Sequence, residues 1–118
     1  MGNSLLHEAA GTGDATTLQH LLDSGENPAC RNQFGETALH MAAGYGHAIC
    51  LQILISRGLN PDVKDNKGNT ALHVACEYGR EVGVTTLLDA GACIDAQNEK
   101  GVTPLHMAIL RGHFTSVQ

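Results

Sequence analysis

Tryptophan is absent from this chain, and two tyrosines and two phenylalanines are its only aromatic residues. A closed globule of 118 residues usually fills its centre with more large rings than that. The apolar mass is Leu, Ile, Val and Ala instead, a composition that suits thin layers of small side chains. Basic stretches are missing too. Seven Lys and Arg stand against twelve Asp and Glu, for a net charge of −5, so there is no cationic track for phosphates and no direct nucleic-acid binding is expected. The longest apolar run, residues 48–55, is interrupted by Gln52 and is too short to cross a bilayer. Residues 1–6 place Leu6 where an N-myristoylation signal wants Ser or Thr, so no membrane attachment is expected. Cys30, Cys50, Cys76 and Cys93 form no CxxC pair, which excludes a zinc knuckle and a thioredoxin-like redox motif. With no secretory leader and no N-x-S/T sequon, reduced thiols and an intracellular location, cytoplasmic or nuclear, are expected.

What the sequence does contain is a period. His7, His40, His73 and His106 are each 33 residues apart, and the same step links Leu6, Leu39, Leu72 and Leu105. It also links Ala9, Ala42, Ala75 and Ala108, the turn glycines Gly13, Gly46, Gly79 and Gly112, and two further glycine columns beginning at Gly25 and Gly35. So many independent columns in one register specify a stack of repeated units.

Each unit reads as two short helices and a loop. Ser4, Thr37, Thr70 and Thr103 stand where an N-cap hydroxyl bonds the free amides of a first helix. Pro104 suits the first helical position. The small Ala columns let neighbouring helices approach closely. A second helix carries Leu18, Leu21 and Leu22 in the first unit, Ile49, Leu51, Ile53, Leu54 and Ile55 in the second, and Val82, Val84, Leu87 and Leu88 in the third. Gly25, Gly58 and Gly91 end it in a conformation that glycine adopts at least cost. The polar loop that follows reaches Asn32, Asp65 or Asn98, three residues before another glycine, a pattern for a projecting turn.

Thr37-Ala-Leu-His40, Thr70-Ala-Leu-His73 and Thr103-Pro-Leu-His106 resemble the ankyrin repeat, with its 33-residue period and T-P-L-H-x-A signature. The resemblance covers the whole chain as repeats at about 2–34, 35–67 and 68–100, with a truncated fourth at 101–118. It implies an all-α ankyrin-repeat solenoid of stacked helix–turn–helix pairs with projecting β-hairpin-like loops. The first repeat departs from the pattern at Ser4-Leu5-Leu6-His7, and the last lacks the Leu-Leu pair of its second helix. Ile109, Leu110 and Val117 lie near an end that a solenoid needs to be polar, and each uncovered Leu or Val forgoes about 1.5–3 kcal/mol of burial. The chain is therefore expected to be a fragment of a longer protein or to have its end covered by something else, and the final half-repeat, left uncovered, is expected to fray.

No chemistry is legible. The histidine ladder invites a metal, but stacked helices stand about 10 Å apart, too wide for shared bonds near ~2 Å. Each imidazole is expected instead to bond its cap hydroxyl and a loop backbone group. His47 and His113 follow turn glycines, and His20 lies outside the ladder; all three read as structural. No Ser/His/Asp or Cys/His set and no phosphate-cradling loop can be assembled. Catalytic residues, metal ligands and cofactors are therefore all expected to be none. Cys50 and Cys76 read as small core residues, and Cys30 and Cys93 as more accessible ones.

By resemblance, an ankyrin stack binds a protein partner through its loop tips and the inner face of its first helices. Those positions are Gln33, Phe34 and Glu36; Asn66, Lys67 and Asn69; and Glu99, Lys100 and Val102. The ends of the first helices add Tyr45, Glu77, Tyr78 and Arg111. Phe34 is an unusual residue for a polar loop tip, and Tyr45 and Tyr78, one repeat apart, read as a short aromatic ladder; aromatic residues suit interface cores. Non-catalytic protein recognition by a monomer is the reading of choice. The alternatives are a regulatory or substrate-recruiting segment of a larger enzyme, such as a kinase or ubiquitin ligase, and end-to-end self-association through the uncapped last repeat.

Overall fold

A computed structural model of the chain describes residues 2–112. The expectations for His113, for Val117 and for fraying of the last half-repeat fall outside that range. Seven helices follow in order: α1 (Leu5–Thr12), α2 (Ala15–Asp23), α3 (Ala38–Tyr45), α4 (Ala48–Ser56), α5 (Ala71–Glu77), α6 (Glu81–Asp89) and α7 (Pro104–Leu110). No strand occurs among the described residues.

None of these helices is longer than nine residues, so none would be stable alone in water. Their ends are fixed by local chemistry. Ser4, Thr70 and Thr103 accept from the backbone N–H three residues on, each at 3.3 Å. Gly13 and Gly46 close α1 and α3 with φ of 78° and 75°. The following backbone N–H groups of Asp14 and His47 then reach back to the carbonyls of Ala9 and Ala42 at 2.9 Å, a Schellman-type closure.

The odd-numbered helices α1, α3, α5 and α7 pack side by side in one row, and α2, α4 and α6 form a second row behind them. Ala42, Ala75 and Ala108 are fully buried, and Ala9 nearly so, because only a methyl group fits where adjacent first helices meet. Between the rows lie Leu18, Leu39, Leu51, Leu54, Leu72 and Leu87, together with Cys50 and Cys76. The resulting body measures 39 × 25 × 21 Å, elongated along the direction of stacking. Ile49 and Val82, one repeat apart on the second helices, lie outside this core and are 64% and 63% exposed. They lie on the outer side of the second row, where no third layer covers them among the described residues.

The histidine column is the main polar tie between repeats. The backbone N–H of Thr37 donates to His40 Nδ1 at 3.1 Å, and the Thr37 hydroxyl lies 3.1 Å from the same nitrogen. A backbone amide can only donate, so Nδ1 is the acceptor and the proton sits on Nε2. Nε2–H then donates to the carbonyl of Asn69 in the next repeat at 2.8 Å. His7 and His73 repeat the arrangement with the carbonyls of Glu36 and Val102, at 2.6 and 2.7 Å. Each ring is therefore the reciprocal half of a capping box and also a bolt into the following loop.

The loops are organised by one side chain each. Asn32 Oδ1 accepts from the amides of Phe34 and Glu36, Asp65 Oδ1 from those of Lys67 and Asn69, and Asn98 Oδ1 from those of Lys100 and Val102, all at 2.9–3.0 Å. Successive loops are then joined by backbone bonds from Asn66 N–H to Phe34 O and from Glu99 N–H to Lys67 O, each 3.0 Å. They behave as a hydrogen-bonded ladder of turns rather than as paired strands.

Candidate partner-binding face

The loop ladder and the open side of the first helices enclose three adjoining depressions that run along the stack. The first, about 300 Å³, lies between α3 and α5 and is walled by Tyr45, Tyr78, Met41 and Val74 with Glu36 and Arg80 at its edge. The second, about 250 Å³, lies toward the loop tips between Phe34 and Tyr78, with Glu36, Asp65, Lys67 and Glu77 around it. Glu36, Val74 and Tyr78 belong to both. The third, about 340 Å³, continues past Glu77 to Glu99, Lys100, Val102 and Arg111. Together they make one groove of changing character, from apolar through acidic to mixed charge.

Backbone demands place most of the residues expected here. Glu36 and Asn69 precede the cap threonines, so their carbonyls receive the histidine bonds while their side chains turn outward. Glu36 Oε1 accepts from Asn32 Nδ2 at 2.9 Å, and Asn69 Oδ1 accepts from Asn98 Nδ2 at 2.9 Å. Phe34 is held at its loop tip by the Asn32 side chain and remains 58% exposed. Gln33 is the exception among the thirteen positions: it lines none of the three depressions, and its carbonyl accepts from Asn66 Nδ2 at 3.2 Å.

The column at the ends of the first helices behaves as a set of clasps onto the preceding repeat. A Cβ placed on Gly11 would stand 3.7 Å from the Tyr45 ring, and one on Gly44 would stand 3.9 Å from the Tyr78 ring. At the next step the glycine is replaced by Glu77 and the tyrosine by Arg111, and the two form an ion pair at 2.9 Å. Tyr45 also stacks on His47, with ring centroids 6.4 Å apart. His47 Nε2 lies 3.1 Å from Gly11 O, and Arg80 Nε donates to Gly44 O at 3.0 Å, so these two side chains close the carbonyl ends of α1 and α3. Each tyrosine thus packs one edge on its neighbour repeat, yet Tyr45 remains 57% and Tyr78 55% exposed toward the groove.

A family model for ankyrin repeats matches residues 6–98 in three copies. The chain belongs to the ankyrin-repeat family. Comparison with curated proteins found no match. Ankyrin repeats are protein–protein interaction modules and typically non-catalytic, and the groove described above lies on the open side of this ankyrin stack. No helix among the described residues is long and apolar enough to cross a membrane.

Sequence reasoning missed the groove floor. Met41, Val74 and Met107 also step by 33 and are half-buried, and Arg80 and Asp65 line the depressions as well. The signal was available: a repeat position that varies among Glu8, Met41, Val74 and Met107, directly after the invariant histidine of each repeat, is one the stack itself does not dictate.

Proposed function

We propose that this ankyrin stack binds an extended or loop segment of a protein partner along the groove formed by Phe34, Tyr45, Val74 and Tyr78. Of the residues carried over from the sequence, Glu36, Asn66, Lys67, Asn69, Glu77, Glu99, Lys100, Val102 and Arg111 line the groove and its continuation, while Gln33 stands beside it on the loop tip. The observation that supports this reading most is the exposure of three aromatic rings on one continuous side. Exposed aliphatic side chains such as Ile49 and Val82 occur elsewhere on the chain, but exposed rings that flank a depression are the pattern of interface anchors. The partner is a protein, and the binding requires no cofactor or chemical step from this chain.

Affinity capture of cellular proteins with the wild type, set against Phe34→Ala and Tyr78→Ala, tests the proposal. Each substitution is expected to weaken capture by about 1–2 kcal/mol, with the smaller effect on melting at Phe34, which stands on a loop tip and is 58% exposed. Normal capture by both variants together with a large drop in melting temperature would show that the rings serve packing, and the mapped face would be abandoned.

A further inference from the structure

The second depression has a chemical bias that the rest of the groove lacks. Its walls are two exposed rings, Phe34 and Tyr78, and its floor is the half-buried Val74. The ionisable groups lining it are the half-buried carboxylates of Glu36, Asp65 and Glu77 against a single cation, Lys67, which is exposed. Each carboxylate is oriented through one oxygen: Glu36 Oε1 by Asn32 at 2.9 Å, Asp65 Oδ1 by two backbone amides at 2.9 Å, and Glu77 Oε2 by Arg111 at 2.9 Å. A carboxylate offers about four acceptor sites, so all three keep acceptor capacity while their positions are fixed.

Four kinds of occupant can be weighed against that lining. An acidic side chain would meet three like charges. An apolar one would strip water from half-buried carboxylates and give nothing back. An ammonium satisfies a ring face but presents a point charge on a flexible stem. A guanidinium is flat, lies against an aromatic face, and donates in its own plane to several carboxylates at once. Arg111 already shows the second half of this match, bonding Glu77 one repeat further along.

We propose that the cavity between Phe34 and Tyr78 takes an arginine side chain of the partner segment, stacked on the rings and bonded to Glu36 and Asp65. The proposal rests on the partner-binding reading and makes it specific: the bound segment is basic at this point and apolar where it meets Tyr45 and Met41.

The probe is acetyl-Gly-Arg-Gly-amide, titrated into isotope-labelled protein while the ring resonances of Phe34 and Tyr78 are followed. Its citrulline counterpart keeps the shape and loses the charge. Saturable shifts at both rings are expected with the arginine peptide, with affinity at least about tenfold weaker for citrulline. The same loss is expected in Glu36→Gln, whose amide oxygen can still accept from Asn32 and whose melting temperature should be unchanged. Equal affinity of the two peptides, or no saturable shift at the rings, overturns the assignment. If a captured partner depends on Phe34 and Tyr78 while the arginine peptide fails, the binding face stands and the arginine alone is wrong. If capture is also indifferent to both rings, the two readings fall together.

Discussion

The imidazoles of His40 and His73 are almost wholly buried, and the bonds around them are compatible with one protonation state. Nδ1 accepts from a backbone amide, so adding a proton there removes an acceptor that nothing replaces. Burial holds both rings below the ordinary value of 6.5; the bonds from Nε2–H to Asn69 O and Val102 O oppose that shift without cancelling it. The consequence for stability has a definite sign. Below about pH 6.5 the unfolded chain takes up protons that the folded rings refuse, so their contribution is complete above that pH and is lost as pH falls toward the lowered folded values. Each ring can add a slope of up to about 1.4 kcal/mol per pH unit within that window. Urea midpoints measured at steps from pH 7.5 down to 5 are therefore expected to hold steady and then decline, and the decline should flatten in the His40→Gln/His73→Gln double variant. A midpoint independent of pH, or a decline unchanged in the double variant, would remove the buried neutral rings from the account.

Among the elements, the loop ladder depends on backbone approach more than on side-chain contact. Gly68 has φ +79°, and a Cβ there would stand 2.9 Å from the backbone nitrogen of Glu99 and 3.1 Å from Asn98 Cα. That amide is the one that bonds Lys67 O, so the loop cannot draw back without breaking the rung. Gly68→Ala is expected to cost about 1–3 kcal/mol, combining left-handed strain with the lost contact. Gly58 has φ +96° with nothing within 4 Å of an added Cβ, so Gly58→Ala should show the backbone strain alone and a smaller loss. Comparable urea midpoints for the two variants would mean that the loops are not tightly coupled. This level of organisation was largely legible. The spacing of the glycine, Thr and His columns marks caps and turns because those functions admit few residue types. The bond each histidine makes to a loop in the next repeat was visible only as a need for a partner, since the sequence does not say which carbonyl lies nearby.

At the scale of the whole molecule the legible and the illegible divide along the same line. Residues that the stack dictates recur every 33 positions and announce themselves; residues on its open faces vary, so the repeat columns did not single out Met41, Val74 and Arg80. The exposure of Ile49 and Val82 was not legible either, since an apolar residue in a nine-residue helix does not reveal which side has a neighbour. The stack also predicts how the molecule unfolds. Each helix pair buries its apolar side only against adjacent pairs, so stability is a sum of nearest-neighbour terms, and the second repeat shares a boundary with both the first and the third. Leu54 is fully buried on α4, between α2 and α6. Leu54→Ala should remove about 2–5 kcal/mol and, because the lost packing belongs to two boundaries, should lower the urea midpoint of helix content and of tyrosine fluorescence together. Tyr45 and Tyr78 report on the second and third repeats, whereas circular dichroism reports on all of them. Separation of the two transitions in the wild type would mean that single repeats persist without their neighbours, and the groove they jointly form could not then be treated as one rigid surface.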